Sequence, residues 1–219
     1  ATQRVLFKVE RTRDGGRFAA RRVIAEQASR AIFHLECSFH APEPGFEHQT
    51  HHLPDVPPPE DVPDAATVAD MIGADRPWTA SLMRVPNPID MRLIDYRFLT
   101  DSPEEARRRM WLRLPSAART DDPEVHQQLI AYLSDYWLLS AALVPHPIAE
   151  KGQGPRTASL DHAVWFHRPH RADDWLLFDC KSPWAANGRG LSHGSLLDRE
   201  GRLVATVMQE SLMRIADPR

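Results

Sequence analysis

Apolar residues cluster near the C-terminus in four short runs bounded by Pro, Asn, Asp or Gly: residues 160–166, 175–180, 189–197 and 203–211. Runs of this length, rich in β-branched, aromatic and aliphatic residues and closed by turn formers, predict strands. The last two are joined by Asp198-Arg199-Glu200-Gly201, where a glycine at positive φ closes an antiparallel hairpin. At the other end, residues 5–10 read as a strand, 11–17 as a loop with Asp14-Gly15-Gly16 at its tip, and 18–26 with 31–39 as a hairpin. Residues 41–63 are loop, because Pro54, Pro57, Pro58, Pro59 and Pro63 remove amide donors, and this segment reads as a linker. Asp64 caps a short helix over 64–72, residues 76–88 are irregular, and strands follow at 91–98 and 109–114.

The strongest helical pattern spans residues 123–144. Asp122 caps it, Pro123 suits the first position and Pro145 ends it, while Val125, Leu129, Leu133, Tyr136, Trp137, Ser140 and Val144 recur at spacings of three and four. Such a helix would be roughly 33 Å long at 1.5 Å per residue, and the strands after it supply the sheet it covers.

Sliding the chain on itself by 171 residues aligns Val5-Leu6-Phe7-Lys8-Val9 with Leu176-Leu177-Phe178-Asp179-Cys180, and Ala31-Ile32-Phe33 with Arg202-Leu203-Val204. The offset preserves strand lengths, turn positions and the apolar face together, as a duplication does. Before its 176–180 strand the second copy has a helix, a loop and the strand of Asp161, whereas four residues precede Val5. The expectation is a chain that starts inside its first repeat, either as a fragment or with a reduced unit that completes its core on a partner. The domains expected are 1–85, a partial N-terminal unit containing the proline-rich linker 41–63, and 86–219, a C-terminal unit carrying the site.

With 219 residues, 42% of them apolar, the chain can bury a core. Its net charge of −3 argues against a nucleic-acid partner. Cys37 and Cys180 fall on apolar strands rather than in a disulfide framework, no run of about 18 apolar residues marks a membrane span, and no signal-peptide plan opens the chain. A cytoplasmic protein without membrane association is expected.

Ser159-Leu160-Asp161-His162, Trp165-Phe166-His167-Arg168-Pro169, Ser182-Pro183-Trp184-Ala185, Arg189-Gly190-Leu191 and Val207-Met208-Gln209-Glu210 together resemble the type II acyl-CoA thioesterases, the bacterial thioesterase B type. Residues 16–22, Phe39-His40-Ala41-Pro42-Glu43 and Gly45-Phe46-Glu47-His48-Gln49 are similar too, so the resemblance spans nearly the whole chain. It implies an α+β double hot-dog, a long helix wrapped by antiparallel sheet and duplicated, with the first hot-dog N-terminally incomplete. It also implies hydrolysis of fatty acyl-CoA to free fatty acid and CoA without a cofactor, by a triad that falls on Asp161, Ser182 and Gln209. Members carrying Thr at the hydroxyl position have it where Pro183 stands here, so Ser182 takes that role, as in the Ser-Pro-Trp form.

The same three residues make chemical sense on their own. Thioester hydrolysis needs a nucleophile, a base and a donor for the developing oxyanion; Asp161 can take a proton from water that Ser182 and Gln209 hold. A covalent role for Ser182 lacks a base, since His162 points to the strand face opposite Asp161. The first repeat has Arg11 at the position of Ser182 and Ser38 at that of Gln209, which confines the chemistry to the second unit. His48, His51 and His52, or His162, His167 and His170, lack ordered ligand spacing, so no metal is expected. Arg168 and Arg189 are candidates for CoA phosphates, although such arginines are commonly solvated charges. The competing readings are a non-catalytic acyl-CoA or lipid-binding hot-dog module and a hot-dog hydratase. A bare sheet edge in the first unit favours a homo-oligomer.

Overall fold

The computed structural model describes residues 4–96, 105–146 and 155–215. Its contacts divide the chain into two compact units, Ala1–His48 and Gln49–Arg219. The first is an antiparallel meander of β1 (Leu6–Asp14), β2 (Phe18–Gln27) and β3 (Arg30–His40) in that order. Ala28 and Ser29, both at positive φ, turn β2 into β3; two consecutive left-handed residues match the twist of a tight hairpin. Strand β1 runs on through residues expected to be loop, with Arg11 and Arg21 both pairing Asp14 at its end.

In the second unit, β4 (Asp90–Leu93), β5 (Arg107–Arg113), β8 (Leu176–Ala186), β9 (Arg189–Leu197), β10 (Leu203–Arg214) and β6 (Arg156–Ser159) form one antiparallel sheet in the order β4-β5-β8-β9-β10-β6, and β7 (Ala163–Phe166) also pairs β10. Alternation sends Met110, Leu112, Leu176, Phe178, Cys180, Leu196 and Val207 to an inner face, where all are fully buried. Each such aliphatic or aromatic side chain contributes about 1.5–3 kcal/mol by leaving water. Trp111, Trp175, Leu177 and Leu197 form a second cluster with Val62. Gly194 is required on the inner face: a Cβ there would lie 2.4 Å from Cε2 of buried Phe178.

The proline-rich segment 41–63 contains the boundary between the two units, and from Gln49 onward it packs on the second. The Gln49 side chain donates to the Gly201 carbonyl (2.7 Å) and accepts the Leu203 amide (2.9 Å), and the Trp111 indole donates to the Pro57 carbonyl (2.9 Å). The contacts divide the chain at 48/49, and the sequence reading divides it at 85/86. Asp64 caps α1 (Ala65–Ile72) by accepting the Thr67 amide, as expected. Residues read as irregular contain α2 (Pro77–Met83). The 91–98 strand is the shorter β4, and residues 97 and 98 lie outside the described residues.

The long helix is corrected most. Asp122 does cap α3, which spans Pro123–Asp135, but Tyr136 is extended (ψ 112°), Trp137 is left-handed (φ 67°), and the chain resumes as a 3-10 turn over Leu138–Leu143. A bulky residue in the left-handed region costs about 1–2 kcal/mol. Arg108 offsets this: its guanidinium lies 4.4 Å from the Trp137 ring centroid and donates to Ser140 Oγ (2.6 Å). Burial pulls the Arg108 pKa down to about 9. Gly190 on β9 lets the 3-10 turn settle onto the sheet, because a Cβ there would stand 2.8 Å from that of Ala142. The buried stripe of α3 is His126, Ile130, Leu133 and Ser134, with His126 Nδ1 accepting the Ala172 amide (3.0 Å), so the helix is rotated from the face read in the sequence.

Candidate active site

The strand expected over residues 160–166 is broken, and Asp161 occupies the break between β6 and β7. Both pair with β10, and where they part company Leu160 donates its amide to the Glu210 carbonyl (2.9 Å) while Asp161 Oδ1 accepts the Glu210 amide (2.7 Å). The carboxylate thus fills a place in the ladder that a backbone carbonyl would hold, and Asp161 remains exposed.

Ser182 lies in a bulge of β8, where the register with β9 shifts between Lys181 and Trp184. Pro183 has no amide to give, so a slipped register loses little there. The Ser182 amide donates to the Ala106 carbonyl (2.8 Å), and Oγ donates to the Leu191 carbonyl (2.7 Å). A hydroxyl whose proton points at a carbonyl has no base to take that proton, but its lone pairs can still accept from water.

Gln209 is completely buried on β10 and faces the helical layer. Leu191 is the register partner of both Trp184 and Glu210, and Ser192 that of Gln209. The three candidates therefore fall in two neighbouring rows across the sheet. They do not hydrogen-bond one another among the described residues, and β8 and β10 are separated by one strand, roughly 10 Å at the usual spacing. A water and a substrate carbonyl fit such a gap better than a direct bond does.

What the structure adds is a cluster around Gln209 that sequence reasoning missed. The carboxamide Nε2 donates to Asp135 Oδ1 (2.5 Å), at the last turn of α3, and lies 3.3 Å from His162 Nδ1. His162 Nε2 is 2.9 Å from Ser134 Oγ, which donates to the Ala131 carbonyl (2.8 Å). Since Ser134 spends its proton on Ala131, His162 must donate through Nε2, leaving Nδ1 as an acceptor for Gln209. Burial lowers the His162 pKa, against the pull of Asp135 and then Asp161, in keeping with a neutral ring. Ser192, opposite Gln209, is fully buried and its Oγ has no partner among the described residues. The available signal was the polar pair Ser134-Asp135 ending an apolar helical stripe.

His162 and Asp161 do point into different surroundings. His167 Nε2 instead meets Thr206 Oγ1 (2.9 Å). Among the described residues no group of three His, Cys, Asp or Glu side chains is arranged to hold a metal ion. Arg189 pairs with Glu210 (2.8 Å).

The family model for the acyl-CoA thioesterase C-terminal domain matches residues 54–213. Acyl-coenzyme A thioesterase 8 of Mus musculus is 38% identical over 219 residues, covering 96% of this chain and 68% of that protein. Acyl-CoA thioesterase 2 of Haemophilus influenzae is 33% identical over 225 residues, covering 97% and 74%. Among solved structures, the acyl-CoA thioesterase II TesB2 from Mycobacterium marinum superposes with a TM-score of 0.77 at 39% identity, over 97% of this chain and 75% of that one. A protein of unknown function with a hot-dog fold from Alicyclobacillus acidocaldarius reaches a TM-score of 0.71 at 19% identity, over 96% and 72%, a likeness of fold alone. The α+β architecture is thus a hot-dog, with a curled antiparallel sheet packed on a central helix.

Proposed function

Because this chain belongs to the acyl-CoA thioesterase family, we propose that it hydrolyses fatty acyl-CoA thioesters to free fatty acid and CoA with water activated between Asp161, Ser182 and Gln209. The observation that carries the site is the delivery of a carboxylate, a hydroxyl and a carboxamide to two neighbouring rows of one sheet, each at a point where the ladder is broken or fully buried. Asp161 Oδ2, which has no donor among the described residues, accepts a proton from the water. The water oxygen attacks the thioester carbonyl carbon, the carbonyl π electrons move to oxygen, and the tetrahedral oxyanion collapses with cleavage of the C–S bond. The departing thiolate recovers the proton from Asp161, so one water and one thioester give one acid and one thiol. Gln209 and Ser182 hold the water, and no covalent acyl-serine forms.

The same proposal extends to a cytosolic location, in keeping with two free thiols at Cys37 and Cys180, and to a homo-oligomer, in keeping with the exposed Phe7, Val9, Ile32, Phe33 and Phe39 of the first unit. No helix among the described residues is long and apolar enough to cross a membrane. The test is release of free CoA thiol from a medium-chain acyl-CoA, followed with a thiol reagent. Release at a steady rate that saturates with substrate supports hydrolysis. Saturable acyl-CoA binding with no thiol released identifies a binding module and overturns the proposal.

A further inference from the structure

We infer that Asp135 is a positioning residue for this reaction, acting through Gln209; the inference rests on the reading of Gln209 as a water-holding group. A glutamine carboxamide can face a substrate with either its NH2 or its oxygen, and the two ends do opposite work. The NH2 end stabilises an oxyanion, whereas the oxygen accepts a proton of water. Left alone, a carboxamide in a polar site samples both orientations.

The cluster removes that freedom. Both hydrogens of the Gln209 amide are taken by protein acceptors, one by Asp135 Oδ1 and one by His162 Nδ1. His162 is an acceptor at Nδ1 only because Ser134 fixes its proton on Nε2. Turning the carboxamide over would set Oε1 against the Asp135 carboxylate and against the His162 lone pair, two repulsions in place of two hydrogen bonds. Ser211 Oγ, 3.4 Å from Oε1, makes a long contact that leaves a lone pair of this oxygen open. Gln209 therefore presents oxygen to the water, sharing with Ser182 Oγ the one hydrogen that Asp161 does not take, while a lone pair of the water points toward the thioester carbon.

Asp135 is suited to positioning rather than to proton transfer. Its side chain is 55% exposed, and its Oδ1 is engaged by Gln209. It reaches the site because α3 ends there: the extended Tyr136 and left-handed Trp137 stop the helix at Asp135.

A double-mutant cycle on the full chain tests this, with steady-state hydrolysis of a medium-chain acyl-CoA as the readout. Gln209→Ala is expected to lower kcat by about a hundredfold, the size of the loss when a reacting group is misplaced by about 1 Å. Asp135→Ala is expected to lower kcat by about tenfold to a hundredfold with KM within about twofold, as a misaligned but present group does. In the Gln209→Ala background, Asp135→Ala should cost nothing further, because the group it positions is gone. Asp135→Asn, which keeps an acceptor, should fall between Asp135→Ala and the parent. If Asp135→Ala lowers kcat by the same factor whether or not Gln209 is present, Asp135 acts independently and the inference is wrong. Asp135 variants within about twofold of the parent in kcat, beside a crippled Gln209→Ala, overturn it as well. A fully active Gln209→Ala instead removes the underlying role of Gln209, and the inference falls with it, a failure visible in that single variant alone.

Discussion

Replacing Asp161 by Asn separates catalysis from architecture at one atom. The structure gives this side chain an evident structural task, since Oδ1 accepts the Glu210 amide at 2.7 Å where β6 and β7 part. Asparagine retains an oxygen of the same reach, so that bond persists in neutral form. A hydrogen bond to a charged group is worth about 1.5–3 kcal/mol and a neutral one about 1 kcal/mol; at an exposed site the difference shrinks further. The expected loss of stability is therefore about 1 kcal/mol or less, or about 2–4 °C in a chain of this size. The loss in rate should be far larger. Removal of a general base costs about a hundred- to ten-thousand-fold, equivalent to roughly 3–5 kcal/mol of barrier. Thermal melting and steady-state thiol release on one preparation read the two effects independently, and Asp161→Ala adds a control that loses the ladder bond as well. An Asn variant that melts like the parent and turns over within about threefold of it, far below the share of a general base, would show that Asp161 serves only the sheet.

Two further outcomes follow from the geometry. Ser182→Ala should reduce turnover yet leave activity measurable, because Asp161 and Gln209 remain, and mass spectrometry during turnover should find no acyl adduct on Ser182; a trapped adduct would reverse the role assigned to its hydroxyl. Stability should decline as pH falls from about 7 toward about 5, the range in which an unfolded histidine gains its proton. His162, His167, His170 and His193 all have folded pKa values lowered by burial, so the unfolded chain binds more protons in the window below the ordinary histidine value. Their stabilisation is complete above that value and lost on descent through the folded ones. Urea midpoints that stay level or rise on acidification across this window would contradict the burial of these rings.

Local rules made much of the fold legible. The last three strands of the second unit, the turn at Gly201 and the caps at Asp64 and Asp122 all depend on residues close in sequence, and the structure reproduces them. The apolar periodicity continued past Asp135 because the 3-10 turn also buries residues at short spacing, so the pattern could not reveal the reversal at Trp137, which depends on Arg108 from β5. The lack of amide donors in the proline-rich segment shows that it forms no ladder, and only the tertiary structure shows Pro57 accepting from Trp111. At the site, the sequence reading set His162 apart from Asp161 but gave no sign of what it meets. The meeting of His162, Gln209 and the end of α3 joins residues 28 to 74 positions apart, beyond any periodic signal.

The duplication explains why Ser182 sits in a bulge at all. The 171-residue offset carries the pair Leu6↔Glu26 of β1 and β2 onto Leu177↔Leu197 of β8 and β9, and carries the irregularity after Arg11 onto the one that begins at Ser182. In the first unit that position holds Arg11, whose side chain is committed to Asp14, and the position of Gln209 holds Ser38. A bulge repeated where Ser182 and Gln209 have no counterparts is not a product of those side chains. Bulges accentuate strand twist and coiling, which a sheet that curls around a helix needs in either copy, so the backbone irregularity belongs to the fold and the hydroxyl occupies it. The Ser182 amide bond to Ala106 is indifferent to the side chain. Loss of the hydroxyl removes its bond to the Leu191 carbonyl, about 1 kcal/mol or about 2–4 °C, and should leave the bulge in place while turnover falls; a Ser182→Ala protein that unfolds about 10 °C or more early, far beyond one hydrogen bond, would tie the bulge to the serine after all.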